Sequence, residues 1–218
     1  MKKGKIILIE GTDGSGKNTQ ARKLFDRLTE EKTPVKMMSF PRYETPTGRI
    51  IGECYLGKNG VPWFEEPTHL NPKIASLYYA ADRLAAKEEM ESIINSGTNL
   101  ILDRYVESNM AHQGGKLSGN ERRRFIGWVE NLEYNLNNMP RPDKTIFLYV
   151  PTSVALELRK SRENSDVHES SLEHLKNAEE TYLELSERFR WTKITCAPNG
   201  KMRTIDNIAE EIYQNVSL

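Results

Sequence analysis

A lysine behind three glycines is the chemistry-bearing stretch of this sequence. Residues 11–19 read Gly-Thr-Asp-Gly-Ser-Gly-Lys-Asn-Thr. Glycines let a backbone curl until successive N–H groups converge, and a helix opening there adds its partially positive end. Such a turn cradles phosphate, and Lys17 adds a mobile full charge. Gly11, Gly16 and Lys17 satisfy G-x-x-x-x-G-K. The next position, normally Ser or Thr whose hydroxyl holds magnesium, is Asn18, with Thr19 one step on. The plainer reading is a glycine-rich turn that merely joins strand to helix. Lys17 and the flanks weigh against it: an apolar run over 5–10 precedes the turn and a helix-like run over 20–32 follows. Nucleoside triphosphate binding is therefore expected of Gly11, Thr12, Asp13, Gly14, Ser15, Gly16, Lys17, Asn18 and Thr19.

A second set of side chains falls at the C-terminal ends of the other expected strands, the edge where open α/β sheets bind ligands. It comprises Phe40, Arg42, Tyr43, Tyr79, Arg83, Arg104 and Asn109. A cationic, aromatic-lined pocket suits a phosphorylated aromatic acceptor. The basic run Arg159-Lys160-Ser161-Arg162 suits a lid that closes on the donor. Two anionic substrates repel each other, and added positive charge is what phosphoryl transfer needs.

These residues must be positioned by alternating elements. Strands are expected near 5–10, 35–40, 99–103, 144–150 and 192–196. Helices are expected over 19–32, 47–56, 72–95 (capped by Asn71), from the 118–121 capping box to about Leu136, from Thr152, from the 170–173 box to about Phe189, and over 204–216. In the helix from 72, the apolar set Ile74, Leu77, Tyr78, Ala81, Leu84 and Ala85 is broad enough to face a core and a partner. Residues 57–70 read as an exposed loop, and 162–169 as a mobile polar segment. Five strand–helix alternations imply an α/β fold: a three-layer, five-stranded parallel sheet flanked by helices, in one domain over 1–218 with a short lid at about 159–169.

Composition excludes several classes. Lysine plus arginine equals aspartate plus glutamate at 31 each, so no basic field argues for nucleic acid. Glu121-Arg122-Arg123-Arg124 reads as a solvated helix turn. Cys54 and Cys196 lie far apart and fit a reducing, cytoplasmic setting. No run is long and apolar enough for a membrane span, and the first residues lead into a strand instead of an apolar leader. The four histidines lack metal-like spacing. A guanine-reading Asn-Lys-x-Asp is absent.

The ordered motifs resemble those of thymidylate kinases, within the P-loop nucleoside monophosphate kinases. The matching stretches are residues 9–17, Phe40-Pro41-Arg42-Tyr43, Tyr79-Ala80-Ala81-Asp82-Arg83, Leu102-Asp103-Arg104-Tyr105, residues 108–113, Pro142-Asp143 and Asp166-Val167-His168-Glu169. The resemblance implies transfer of a phosphoryl group from ATP to dTMP with Mg2+, in dTTP biosynthesis, by a homodimer. It implies that Lys17 and the loop amides hold the donor phosphates, and that Asp13 meets the acceptor 3′-hydroxyl near the metal. Phe40, Arg42 and Tyr43 would belong to the acceptor site with His112 and Gln113. Tyr79 would stack on thymine, Arg83 would bond its carbonyl, Asn109 would read the base edge, and Arg104 would grip the acceptor phosphate. Asp103 and Glu169 would act on magnesium, and Arg159 and Arg162 would be catalytic lid arginines. Gly14 stands where one branch of the family carries a loop arginine. Asn18 departs from the pattern and leaves its amide, Thr19, water and the carboxylates as candidates for the metal. His112 stands where a tyrosine is usual beside the sugar.

Plainer readings exist for several of these. Tyr79 and Tyr43 could be packing residues, Arg83 a surface pair with Asp82 or Glu88, Glu169 a helix-start carboxylate, and Arg159 and Arg162 solvated charges. Two other functions compete: a kinase for dUMP or a deoxynucleoside, and a nucleotide-sensing module without turnover, for which Asn18 is the hint.

Overall fold

The computed structural model describes residues 2–58, 69–163 and 169–216, the side chains of 159–163 and 169–171 excepted. Most of the expected 57–70 loop and residues 164–168 of the expected mobile segment lie outside the described residues. So do the side chains of Arg159, Arg162, Glu169 and the proposed Ser170 cap.

Five strands form one parallel sheet: β1 (Ile6–Gly11), β2 (Val35–Ser39), β3 (Asn99–Asp103), β4 (Lys144–Tyr149) and β5 (Thr192–Thr195), in the order β2-β3-β1-β4-β5. Every pairing is parallel; Leu8 aligns with Leu102 on one side and Thr145 on the other. Parallel sheets need cover on both faces, so their central strands are apolar throughout. β1 obeys this. Ile6 and Leu8 enter one core cluster with Leu100, Leu102 and Phe147; Ile7 and Ile9 enter the other with Leu24, Ile101 and Leu148.

The helices are α1 (Lys17–Glu30), α2 (Pro46–Arg49), α3 (Pro72–Asn95), α4 (Val106–Gly114), α5 (Gly119–Glu130), α6 (Thr152–Glu163), α7 (Glu169–Arg188) and α8 (Ile205–Gln214). Asn71 caps α3 through its side chain, as expected. Four expectations need correction. Helix α4 follows β3 almost without a turn; its apolar residues are too few to make a period, and the sequence reading left it out. Ser118 gives no side-chain cap to α5. Of the apolar set on α3 only Tyr78 packs against a core cluster: Ile74, Leu77, Ala81, Leu84 and Ala85 are exposed, while Ala75, Ala80, Asp82, Arg83, Ala86 and Met90 are buried. Arg122 is not solvated but buried, bonding the Leu117 carbonyl and pairing with Glu180 and Glu184.

Helices α2 and α5 each widen into a π-helical turn, Ile50–Tyr55 and Asn131–Leu136. The wider turn shifts the facing of the side chains that follow. In the second case Glu133 continues the buried face of Arg122, Phe125, Ile126 and Val129, as a 3.6-residue period predicts, whereas Tyr134 is buried although it lies off that face.

Candidate active site

The phosphate-binding loop spans the end of β1 and the start of α1. Gly16 takes φ 79° as it opens the helix, and Gly14 takes φ 72°. An arginine at position 14 would be strained there, and its Cβ would sit 3.2 Å from the Ala155 Cβ. Thr12 anchors the loop to the end of β4: its hydroxyl donates to the Val150 carbonyl at 2.7 Å and accepts from the Val150 N–H at 2.9 Å. Lys17 is buried, and its Nζ donates to the Thr12 carbonyl at 2.9 Å. Burial, with the charge of Arg104, pushes its ammonium down to about 8. Asp13 and Thr19 are exposed beside the loop.

Next to the loop, Asn18 Nδ2 donates to Asp103 Oδ2 at 3.0 Å. The other carboxylate oxygen, Asp103 Oδ1, is buried without a hydrogen-bond partner. Magnesium is commonly held by one or two carboxylates together with phosphates and water. One buried, free carboxylate oxygen beside a phosphate cradle fits that ion. Among the described residues no cluster of three or more His, Cys, Asp or Glu forms a protein-only cage.

Arg104 follows β3 with φ 65°. A left-handed arginine costs about 1–3 kcal/mol unless its surroundings fix it, and such strain collects at functional sites. Here the surroundings do fix it. Its N–H donates to the Ile9 carbonyl. The buried carboxylate of Glu10 then takes the next donors: the Tyr105 and Ser108 N–H groups at 3.0 Å, the Ser108 hydroxyl at 2.8 Å and the Tyr182 hydroxyl at 2.9 Å. Glu10 thus sits at the N-terminus of α4, where negative charge is favoured. Desolvation raises its pKa against the pull of Arg104, Ser108 and Lys17. The sequence reading gave Glu10 no role; a carboxylate inside an otherwise apolar strand was the available signal. The guanidinium of Arg104 has no hydrogen-bond partner among the described residues.

Arg104 stands at the rim of a cavity of about 370 Å³. Of the expected acceptor residues, Phe40, Tyr43, Tyr79, Arg83, Arg104, Asn109, His112 and Gln113 line it. Arg42 does not. Its backbone N–H and side chain engage Asp82, its Nη1 reaches Glu89, and it lines an adjoining polar cleft that also holds Asn18 and Asp103. Tyr55, Lys116 and His174 line the cavity and were missed. They come from segments distant in sequence, and no local pattern marks them.

The cavity's walls differ in kind. Tyr79 meets Tyr55 edge-on at 5.9 Å. Arg83 is 1 % exposed and pairs with the fully buried Glu133, not with Asp82 or Glu88; its Nη1 also lies 3.4 Å from the Tyr105 carbonyl. Asn109 Nδ2 and Gln113 Oε1, one helical turn apart on α4, are buried and unpartnered. They give the wall one free donor and one free acceptor. His112 stacks on His174 at 5.7 Å and meets the Tyr182 ring at 90° to within a degree or so, 89°. Burial, then Arg104 and His174, hold the imidazole of His112 well below its usual value, so it is neutral at pH 7.

Comparison with known proteins agrees with this geometry. The family model described as thymidylate kinase matches residues 9–208. The chain belongs to the thymidylate kinase family. A thymidylate kinase from Plasmodium falciparum is 30% identical over 99% of this chain and 91% of its own length. A probable thymidylate kinase from Pyrococcus abyssi is 29% identical over 96% and 94%. The solved thymidylate kinase from Candida albicans superposes with a TM-score of 0.74 at 25% identity, covering 98% of this chain and 91% of that one. The chain is thus a kinase with the three-layer fold of that family, and a sensing module without turnover is not favoured.

Proposed function

We propose that this protein transfers the γ-phosphoryl group of ATP to the 5′-phosphate of dTMP, giving dTDP and ADP. One observation carries the reading. An arginine with no hydrogen-bond partner among the described residues lines a cavity whose other walls are aromatic and carry one free donor and one free acceptor, and the buried lysine of the neighbouring phosphate loop is close enough for the two charges to interact. A nucleoside monophosphate has that distribution: an anion at one end and a planar, hydrogen-bonding ring at the other.

The chemistry follows from charge. An oxygen of the acceptor phosphate bonds to the γ-phosphorus as the bond to the β–γ bridging oxygen breaks, and that oxygen leaves on ADP. Negative charge gathers on the bridging oxygen and on the equatorial oxygens. Lys17 and the loop N–H groups sit where the donor phosphates lie, and Arg104 neutralises the acceptor phosphate. Asp103 would hold magnesium, with Asn18 orienting its carboxylate and Glu169 as a second candidate. When bound, the metal draws charge from the donor oxygens. Asp13 would meet the acceptor sugar, and Arg159 and Arg162 would bring lid charge in the absence of an arginine at Gly14. The exposed face of α3, with Ile74, Leu77 and Leu84, would meet a second copy of the chain. We take residues 1–218 as one kinase domain. Among the described residues no helix is long and apolar enough to cross a membrane.

A coupled ADP assay with dTMP, dUMP, dCMP and thymidine as acceptors tests the reading. The highest kcat/KM is expected with dTMP. ADP release that is independent of any acceptor, or a preference for the unphosphorylated nucleoside, would remove it.

A further inference from the structure

A second cavity, of about 220 Å³, lies between the first turns of α4 and the beginning of β4, and shares no residue with the acceptor pocket. At its wall is Glu107, 7 % exposed, to which the mechanism gives no task. Its Oε1 accepts from the Tyr134 hydroxyl at 2.7 Å, and its Oε2 is buried with no partner. An unpaired buried carboxylate oxygen is costly, on the order of 1–3 kcal/mol or more. Burial pushes this carboxyl up to about 7. The neighbouring walls mix apolar and aromatic side chains, Met110, Tyr134, Phe189 and Trp191, with the charged groups of Glu130, Arg141 and Asp143, and Arg141 lies over the Tyr134 ring at 4.1 Å. Lys144 and Arg190 stand at the same cavity with no pairing partner among the described residues.

These features select a ligand. Above about pH 7, where Glu107 is ionised, its free oxygen asks for an N–H donor. The ring-lined space asks for a planar apolar body, and the volume limits it to about one nucleobase. The cavity's other carboxylates already have partners, Glu130 in Arg141 and Arg188 and Asp143 in the Ile6 N–H, while Lys144 and Arg190 have none among the described residues, which disfavours an amine or amidine. A neutral N–H heterocycle is what remains.

The same helix serves both cavities. Asn109, His112 and Gln113 face the acceptor pocket, while Glu107 and Met110 line the second one. Glu10 clamps the start of that helix beside Arg104. We propose that the second cavity is an effector site for a neutral, planar N–H heterocycle, read out at the acceptor pocket through α4. Only the kinetic arm of its test rests on the function proposed above.

The probes are benzimidazole and 1-methylbenzimidazole, which keeps the ring and loses the donor. Binding is followed by NMR on the full chain saturated with dTMP, which closes the first pocket. The Trp191 indole resonance is assigned by Trp191→Phe. Benzimidazole is expected to shift the Trp191 indole and the α4 amides saturably. Binding should weaken at least roughly tenfold, the scale of one lost hydrogen bond to a charged group, with the methylated probe and in Glu107→Leu. Glu107→Leu is checked for its fold by its thermal melt. Arg190→Glu, at the rim, is a second variant and should retain binding. In the kinetic arm, benzimidazole should move the dTMP KM by roughly fivefold, the low end of site–site coupling, and leave the ATP KM in place. Equal binding of both probes, or no shift at Trp191, overturns the site. Binding at Trp191 without change in the dTMP KM overturns its role as an effector site.

Discussion

The buried pair Arg83–Glu133 gives the sharpest test of how fold and site are joined. Both side chains are essentially inaccessible, and Arg83 also lines the acceptor cavity. Removing one member of a buried pair leaves the other charge without compensation and costs about 3–5 kcal/mol. The guanidinium cannot shed its proton to escape. Glu133→Ala should therefore lose a fifth or more of a typical stability of about 5–15 kcal/mol. At about 2.1 cal/mol/K per residue, this 218-residue chain has an unfolding entropy near 0.46 kcal/mol/K, so the melting temperature should fall by about 7–11 °C. Replacing both partners by apolar residues of similar volume, Arg83→Met with Glu133→Leu, should restore stability to the parent value or above it. The double variant should nonetheless bind dTMP poorly, because the cavity has lost its arginine. Differential scanning calorimetry and dTMP titration read the two effects separately. A Glu133→Ala melt within 2 °C of the parent, or a double variant with unchanged dTMP affinity, refutes the reasoning.

Other outcomes follow from the same geometry. Lys17→Met should lower turnover by roughly 10²–10³-fold, the scale of one preorganised donor; stopped-flow phosphoryl transfer measures it. Since the Lys17 ammonium titrates at about 8 in the free protein, kcat/KM for ATP should fall as pH rises through that value, while kcat holds to higher pH. The sign for stability is opposite. A lysine held below its ordinary value of 10.5 penalises the fold below about pH 8 and relieves it as pH rises from there to 10.5, so Lys17→Met should stabilise most at neutral pH. Arg104→Ala should cost dTMP affinity far more than ATP affinity, as calorimetric titration of each will report; the reverse order removes Arg104 from the acceptor site. His112→Tyr should sharpen rejection of ribothymidine monophosphate against dTMP, because the imidazole leaves room and a hydrogen-bonding nitrogen beside the sugar; an unchanged ratio of kcat/KM values refutes this.

The sequence by itself determined the fold class and the glycine–lysine turn between β1 and α1. Apolar strands alternating with helical periods leave few arrangements besides a parallel sheet covered on both faces, and the glycine–lysine turn follows from local backbone chemistry. Arg104 and Asn109 were legible for the same local reason, since each lies within a few residues of a strand's end. Tertiary structure decided what joins distant segments. Glu133 lies on the face that a 3.6-residue period buries, but only packing brings Arg83, 50 residues away in sequence, to meet it. His174 reaches His112 from α7, and Arg42 leaves the pocket for Asp82 on α3. The outward face of α3 was misread because an apolar stripe has the same period whether it meets a core or a second chain. Periodicity encodes that a face is apolar; only packing decides what that face touches.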